Sequence, residues 1–432
     1  MRLRLLVALG GLLVLGGCGP CGSDEESARP EAQAPPPALT PVPSPSPSPP
    51  AALTPTPTPT PKTASLAIGI TEQNPNLIWP AGTKAVAPEF APSRDALGEI
   101  KPNYFRLIVD WGQLEPERGK PVFDGYFEGC MRAIQPCGAY LSLRDQLGAL
   151  AARQKQGGWV TLVVLHGTPE WAARPAGGCE RDETMPRSRP ARNMADYGRF
   201  VGAVLAFARQ VGAELRYWSP WNEPNHPYFI SPQRQQCDRT ARSAAVEPYV
   251  GMARALQEAL DEAPGRQQVV LGELAGLDER RPMTTSVSEF VARIPKAVAC
   301  ASPIWTQHGY VGGRDLADDL ERALARKGCA RPEQIWITET GVGAPRSGEE
   351  RRTTPAAQRR ACARLHRRLV RWYRDPLVTA AFQYTFREDD LFPTGLVSTD
   401  LAAAYSPLAE WKAWGMNARP APSDPAPPDS CG

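Results

Sequence analysis

"WVTLVVLHG" (Trp159–Gly167), "MADYGRFVGAVLAFARQVG" (Met194–Gly212) and "LRYWSPW" (Leu215–Trp221) follow one another along the chain, and their order decides the fold. The first and third are short β-rich runs. The middle one spaces its apolar residues by three and four, as an amphipathic helix does. The same alternation recurs over residues 64–416. Further strands are predicted in "SLAIGI", "YFRLIVDW", "QVVLGEL", "PIWTQHGYV", "QIWITET" and "VTAAFQYTF", and further helices in "VEPYVGMARALQEALDEA" and "DLADDLERALARKG". Eight strands alternating with helices at this length predict an α/β chain folded as a (β/α)8 TIM barrel. An open doubly wound sheet that bound a nucleotide would carry a glycine-rich phosphate loop after its first strand, and "AIGITEQNPN" is not one.

The flanks read differently. "MRLR" gives a positive start, and "LLVALGGLLVLGG" is an apolar run too short to span a bilayer comfortably. The run ends "LGGC", which resembles the bacterial lipobox. That resemblance implies a signal peptide over residues 1–17 and diacylglycerol on the thiol of Cys18. The expected product is an exported, membrane-anchored lipoprotein facing the periplasm or the cell exterior. An ordinary signal peptide with a chance cysteine is the alternative. Residues 18–63, including "PVPSPSPSPP" and "TPTPTPTPK", predict a disordered, semi-rigid polyproline spacer whose threonines and serines suit O-glycosylation. Residues 417–432 read as a second Pro-rich disordered piece, tethered through Cys431. The 47 prolines, about double the usual share, lie partly in these flanks.

A net charge of +3 gives no electrostatic case for nucleic acid, and a monomer is expected. The basic run Gln358–Arg374 reads as the solvated face of an amphipathic helix. Ten cysteines in an exported chain predict disulfides, and nine remain once Cys18 is acylated. Spacing suggests Cys130 with Cys137, Cys179 with Cys237, and Cys300 with Cys329. The one C-x-x-C pair, Cys18 and Cys21, has no second pair to complete a zinc site, and neither metal nor cofactor is expected.

A barrel places its chemistry at the C-terminal ends of its strands. Strand two carries Arg106 and ends at Asp110; strand three ends at His166. Strand four ends at Asn222 and Glu223, and strand five at Glu273. Strand six carries His308 and Tyr310, strand seven ends at Glu339, and strand eight carries Gln383 and Tyr384. Three of the four histidines lie at or just beyond these ends, with His366 the exception. Glu223 and Glu339 belong to strands that face each other, so they can converge over the mouth. Glycoside hydrolysis uses two carboxyl groups, one to protonate the leaving oxygen and one to attack or to activate water. Trp171, Trp218, Trp221 and Tyr310 can stack on pyranose rings. Trp218 and Trp221 serve equally well as core packing, because alternate strand residues point opposite ways.

"WNEPN" after strand four and "IWITETG" at strand seven resemble the two signatures of clan A glycoside hydrolases, retaining (β/α)8 enzymes. "FRLIVDWGQLEPERG", "HGTPEWA" and "HGY" resemble the clan's strand-two segment, strand-three end and strand-six end, and "GLVSTDLAAAYSP" resembles the closing segment of its family 39-like and family 5-like branches, all in barrel order. The resemblance implies Glu223 as a protonated acid/base and Glu339 as an ionised nucleophile. It implies that Asn222 binds the sugar's 2-hydroxyl, that Arg106 and Tyr310 hold Glu339, and that His166 and His308 line the subsite. The pKa of Glu223 is expected to be raised by burial and by its like-charged neighbour. The clan's strand-eight tryptophan is missing from "AFQYTFRED", so Tyr384 or Phe386 must take its place. Arg106 as a purely structural ion-pair partner, and the two histidines as core residues, stay open. Asp110 and Glu115 are expected to fix the strand-two loop, while Glu273 and His226 have no assigned role. The expected partner is an oligo- or polysaccharide, cleaved by a hydrolase. The alternative is a non-catalytic carbohydrate-binding lipoprotein on the same barrel.

Overall fold

Among the described residues, nine parallel strands form one sheet in the order β5-β4-β3-β2-β1-β9-β8-β7-β6. They are β1 (Ala67–Thr71), β2 (Tyr104–Asp110), β3 (Val160–His166), β4 (Leu215–Ser219), β5 (Gln268–Val269), β6 (Leu271–Leu274), β7 (Ile304–His308), β8 (Gln334–Thr340) and β9 (Val378–Tyr384). The ninth arises because the fifth predicted strand is split. Its first half pairs with β4, Tyr217 opposite Gln268, and its second half with β7, Leu271 opposite Trp305. Val270 donates to the Trp218 carbonyl at 2.8 Å between them. One strand thus turns from its left neighbour to its right, and the ring closes as the (β/α)8 barrel expected.

This computed structural model describes residues 66–124, 142–177, 187–238, 240–277, 284–310, 317–329, 334–343, 352–388, 392–415 and 425–431. All lie in the unit Thr60–Gly432. The expected leader, Cys18, the Pro-rich spacer, Cys130, Cys137 and Cys179 fall outside them. Among the described residues no helix is long and apolar enough to cross a membrane.

The helices follow the predicted stripes. Asn193 caps Met194–Val211 by accepting from the Ala195 amide, and Gly212 closes it at φ 85°. The basic run forms Pro355–Arg374, which buries Ala361, Cys362, Leu365, Leu369 and Trp372 on one face. Two apolar regions result. One fills the shell between sheet and helices. The other fills the lower barrel, where Trp336 lies 4.7 Å from Tyr104 and 4.8 Å from Tyr217, ring to ring. Phe382 completes this plug. It lies so close to Gly69 that a Cβ there would sit 2.1 Å from its ring, so β1 needs glycine at that point.

Cys300 and Cys329 are bonded, as their spacing suggests. Cys237 is also disulfide-bonded, and its expected partner lies outside the described residues. Cys431 is tied to Cys362 of the Pro355–Arg374 helix. Beneath that bond the fully buried Glu410 accepts from Trp414 Nε1 at 2.7 Å and from the Ser430 amide at 3.1 Å, and meets His366 Nδ1 at 2.7 Å. Residues 425–431 are therefore pinned against the barrel's outer layer by a covalent and a polar clamp.

The Cys362–Cys431 bond closes a loop of 69 residues. Chain entropy puts the stabilisation from such a loop at about 4 kcal/mol, as an upper figure. Cys431→Ser should lower the denaturant midpoint by 2–4 kcal/mol equivalent, about what Cys362→Ser costs, and the double variant should cost no more. Equal midpoints for wild type and both single variants would show that the clamp holds nothing.

Candidate active site

The register of the barrel brings the predicted residues to one mouth. In the parallel pairing of β7 with β8, His308 stands opposite Glu339. Arg106 sits inside β2, and Glu273 inside β6. Glu223 lies just past β4, in "WNEPN", and its backbone is strained: φ is +36° immediately before Pro224. Such a conformation costs about 1–3 kcal/mol and persists only where its surroundings enforce it. Here the Asn222 amide donates to the Leu165 carbonyl at 2.8 Å, and Gln233 Nε2 to the Pro224 carbonyl at 2.9 Å. Asn225, wholly buried, donates to the Ala275 and Thr285 carbonyls and accepts from the Ala275 amide. The second asparagine of the motif is thus a backbone clamp that holds the turn presenting Glu223.

Arg106 and His308 connect everything else. Arg106 has no exposed surface. Its Nη1 ion-pairs with Glu339 at 2.8 Å, its Nη2 donates to Glu273 at 2.6 Å and to Asn222 Oδ1 at 2.7 Å, and its Nε reaches Glu273 at 3.1 Å. His308 is 1% exposed. Its Nδ1 lies 2.8 Å from Glu223 and 3.5 Å from Glu339, and its Nε2 lies 3.1 Å from Glu273. Tyr310 donates to Glu339 at 2.6 Å. Arg368, from the helix read as a solvated face, turns inward and holds the Gly341 and Tyr310 carbonyls. One oxygen each of Glu223 and Glu339 and a ring nitrogen of His308 lie within 4.8 Å of one another. That trio has the residue types of a metal site. Both imidazole nitrogens are already engaged by carboxylates, however, which leaves no lone pair to offer.

The electrostatics follow from this crowding. Burial disfavours the imidazolium of His308, but the charge of Glu339 and the contacts with Glu223 and Glu273 outweigh it and lift the ring to about 10. Burial likewise pushes Glu273 up, but Arg106 and then His308 hold it at about 2. Arg106 pays for burial too, and Glu273 and Glu339 still raise it. Two cations therefore face three carboxyls, one proton short of neutrality. Burial raises Glu339, and Glu223 adds to that against the pull of His308 and Arg106. Glu223 is also raised by burial, yet its bond to His308 brings it below the ordinary carboxylate value. The shared proton is therefore drawn toward Glu339. This reverses the expectation that Glu223 is raised, because His308 faces Glu223 more closely than Glu339.

Other expectations are corrected or refined. Trp218 and Trp221 are core, 0% and 1% exposed, with their indole N–H groups spent on the Leu215 and Phe229 carbonyls. Trp171 donates to the Glu115 carbonyl and packs edge-on against Trp111, so it braces the strand-two loop. Asp110 accepts from Gln113 N and pairs with Arg187, and Glu115 holds Trp111, Gly119 and Arg199, as expected of loop fixers. Phe386 is fully buried, whereas Tyr384 is half-buried, edge-on to Tyr310 and 6.0 Å from the Arg106 guanidinium. Of the two candidates on strand eight, Tyr384 is the one that faces the site. His166 is partly exposed, 3.8 Å from Asp110, and burial lowers its pKa. His226 stacks on Tyr228, which is exposed, at 5.5 Å. Glu273, which had no assignment, lies at the bottom of the cluster with no exposure.

No protein-family model matches the sequence, and no curated protein does. Among solved structures, a conserved exported protein from Bacteroides fragilis matches with TM-score 0.56 at 13% identity, over 83% of this chain and 79% of that one. SrfJ from Salmonella typhimurium matches with TM-score 0.56 at 10% identity, over 84% and 76%. A family 39 glycoside hydrolase from Bacteroides cellulosilyticus WH2 gives TM-score 0.49 at 14% identity, over 82% of this chain and 64% of that one. At these identities the likeness is one of fold. The shared property is the barrel.

Glu273 and His308, which their charged partners shift against the effect of burial, set a pH window. Glu273, about 2 against an ordinary 4.5, contributes stability that is present above pH 4.5 and lost as pH falls through 2. His308, about 10 against 6.5, contributes stability that is full below pH 6.5 and lost as pH rises through 10. The contribution of this pair should therefore be greatest between 4.5 and 6.5. His308→Asn should flatten the alkaline decline in Tm; a decline that survives the substitution would exclude His308 as a buried cation.

Proposed function

We propose that this chain is a retaining glycoside hydrolase of β-linked glycans, with Glu223 as acid/base and Glu339 as nucleophile. The observation that carries the reading is the convergence of these two carboxyls at the barrel mouth, oxygen within 4.8 Å of oxygen. Retaining enzymes hold their carboxyls about 5–5.5 Å apart, whereas inverting ones need about 6.5–9.5 Å for a water.

In the first step Glu223 gives its proton to the glycosidic oxygen while Glu339 attacks the anomeric carbon. The C–O bond breaks and a glycosyl–enzyme ester forms. In the second, Glu223 takes a proton from water, the water oxygen attacks the anomeric carbon, and Glu339 leaves. The chemistry needs the proton on Glu223, and the charges of the cluster draw it toward Glu339. His308 Nδ1 lies within 3.5 Å of both, so it can pass its proton to Glu223 and take the one on Glu339. Arg106 and Tyr310 then hold the ionised Glu339. Asn222 has its Oδ1 taken by Arg106, which leaves its Nδ2 hydrogens for a sugar hydroxyl. His166 and Tyr384 are the partly exposed side chains that line the reacting subsite, whereas Arg106 and His308 act on the sugar through the carboxyls.

The disulfides support an exported protein, since such bonds persist in oxidising compartments. Together with "LGGC" they support a lipoprotein anchored at Cys18, with residues 64–416 carrying the activity.

Glu223→Gln and Glu339→Gln should each lower kcat by about a hundredfold or more on a β-linked oligosaccharide, with Tm kept within a few degrees. NMR of the first-formed anomer should show retention. Near-normal turnover in either variant would sink the assignment. Oligosaccharide binding without any cleavage across a substrate panel would favour the binding-protein reading, which the missing strand-eight tryptophan motivates. Cys18→Ser should abolish metabolic labelling with palmitate and release the protein from the membrane fraction; continued labelling would refute the anchor.

A further inference from the structure

Glu273 is the one carboxylate of the cluster that no substrate can touch. It has no exposed surface, and Arg106 and His308 lie between it and the reacting pair. Its place is bought with backbone strain: φ is +51° at Glu273 and +113° at Gly272. A Cβ on Gly272 would fall 2.1 Å from the Thr306 carbonyl oxygen, so glycine is needed to bring the chain this close to β7. The Tyr249 hydroxyl accepts from the Gly272 amide, and Thr306 Oγ1 accepts from the Glu273 amide. Together these lock one oxygen, Oε2, onto three N–H groups of two cations.

We propose that Glu273 is a positioning residue, a buried anion that holds Arg106 and His308 as cations aimed at Glu339 and Glu223. The inference rests on the glycosidase reading for its kinetic consequence, and on geometry alone for its structural one. With an anion on Nε2, His308 must carry a proton there, and a second proton on Nδ1 then faces both Glu223 and Glu339. With the same anion on its Nε and Nη2, Arg106 presents Nη1 to Glu339 and cannot rotate its whole fork onto it. The groups that share this field are Arg106 from β2, Asn222 and Glu223 beyond β4, and Tyr249 from the helix Val246–Glu262. His166 of β3, Thr306 and His308 of β7, Tyr310 beyond it, Thr338 and Glu339 of β8, and Tyr384 of β9 belong to it as well. His226 faces the cluster through Glu223.

Removing the Glu273 charge should lower the proton affinity of His308 and of the Glu223–Glu339 pair alike, because each loses a nearby negative neighbour. In Glu273→Gln the alkaline limb of the kcat profile should move to lower pH by about one unit or more, with kcat down about tenfold or more and KM within about twofold. Glu273→Asp, which keeps the charge, should recover much of the limb. An alkaline limb unmoved in the glutamine variant overturns the proposal.

The His308 ring can be read without substrate. Imidazole 15N NMR of the wild-type protein at about pH 8, above the ordinary histidine range, should show both nitrogens protonated. A neutral ring there overturns the proposal, including where the glutamine variant does not fold. In a folded glutamine variant the ring should titrate about one unit or more lower. If the protein cleaves no glycoside while His308 behaves as expected, the glycosidase reading fails and the role of Glu273 in holding the cations stands.

Discussion

Arg106 reaches, from the middle of β2, groups carried by three other strands: Glu273 of β6, Asn222 beyond β4 and Glu339 of β8. A guanidinium with no contact to water survives only if its charge is met on every side. It therefore constrains the strands around it. Each must deliver its acceptor to the same small volume, and the split of the fifth strand and the strained turn at Glu223 both serve that convergence. His308 repeats the pattern from β7 with two ring nitrogens in place of a fork. The mouth of the barrel is thus organised by two buried cations rather than by the carboxyls that stand out in the sequence.

The layering below them explains why such charges are tolerated. The lower barrel is plugged by Trp336 and Phe382, with the partly exposed Tyr104 and Tyr217 packed against them, an apolar floor beneath the cluster. Low local dielectric strengthens each ion pair and raises the penalty for leaving one unpaired. The result is an interlocked set in which no proton moves without affecting several groups. Such a set has the coupled ionisations that acid–base chemistry of the proposed kind would use.

Much of this was legible in the chain. Short β-rich runs alternating with three-and-four spacing identified the eight strands, and strand ends identified Arg106, Asn222, Glu223, His308, Tyr310 and Glu339 as neighbours. The Cys300–Cys329 pair was legible because its partners precede adjacent strands. Other features were not. Trp218 and Trp221 could not be separated from stacking platforms, since the strand gives way to a turn between them and alternation no longer tells in from out. Asn225 looked like part of a motif and is a clamp for the turn. Glu273 resembled any acidic residue near a strand end, and its one local signal was the glycine before it.

The sequence by itself determined the barrel and the membership of its mouth, because hydrophobic periodicity and strand order are local properties that survive reading one residue at a time. The tertiary structure decided which charges pair. That depends on distances across the ring and on the depth of each group, neither of which is encoded in any short stretch. It placed Glu273 beneath Arg106 and His308, raised the proton affinity of His308, and drew the shared proton toward Glu339 rather than Glu223. Each outcome is a sum over groups from at least three strands, and such sums exist only once the chain has closed.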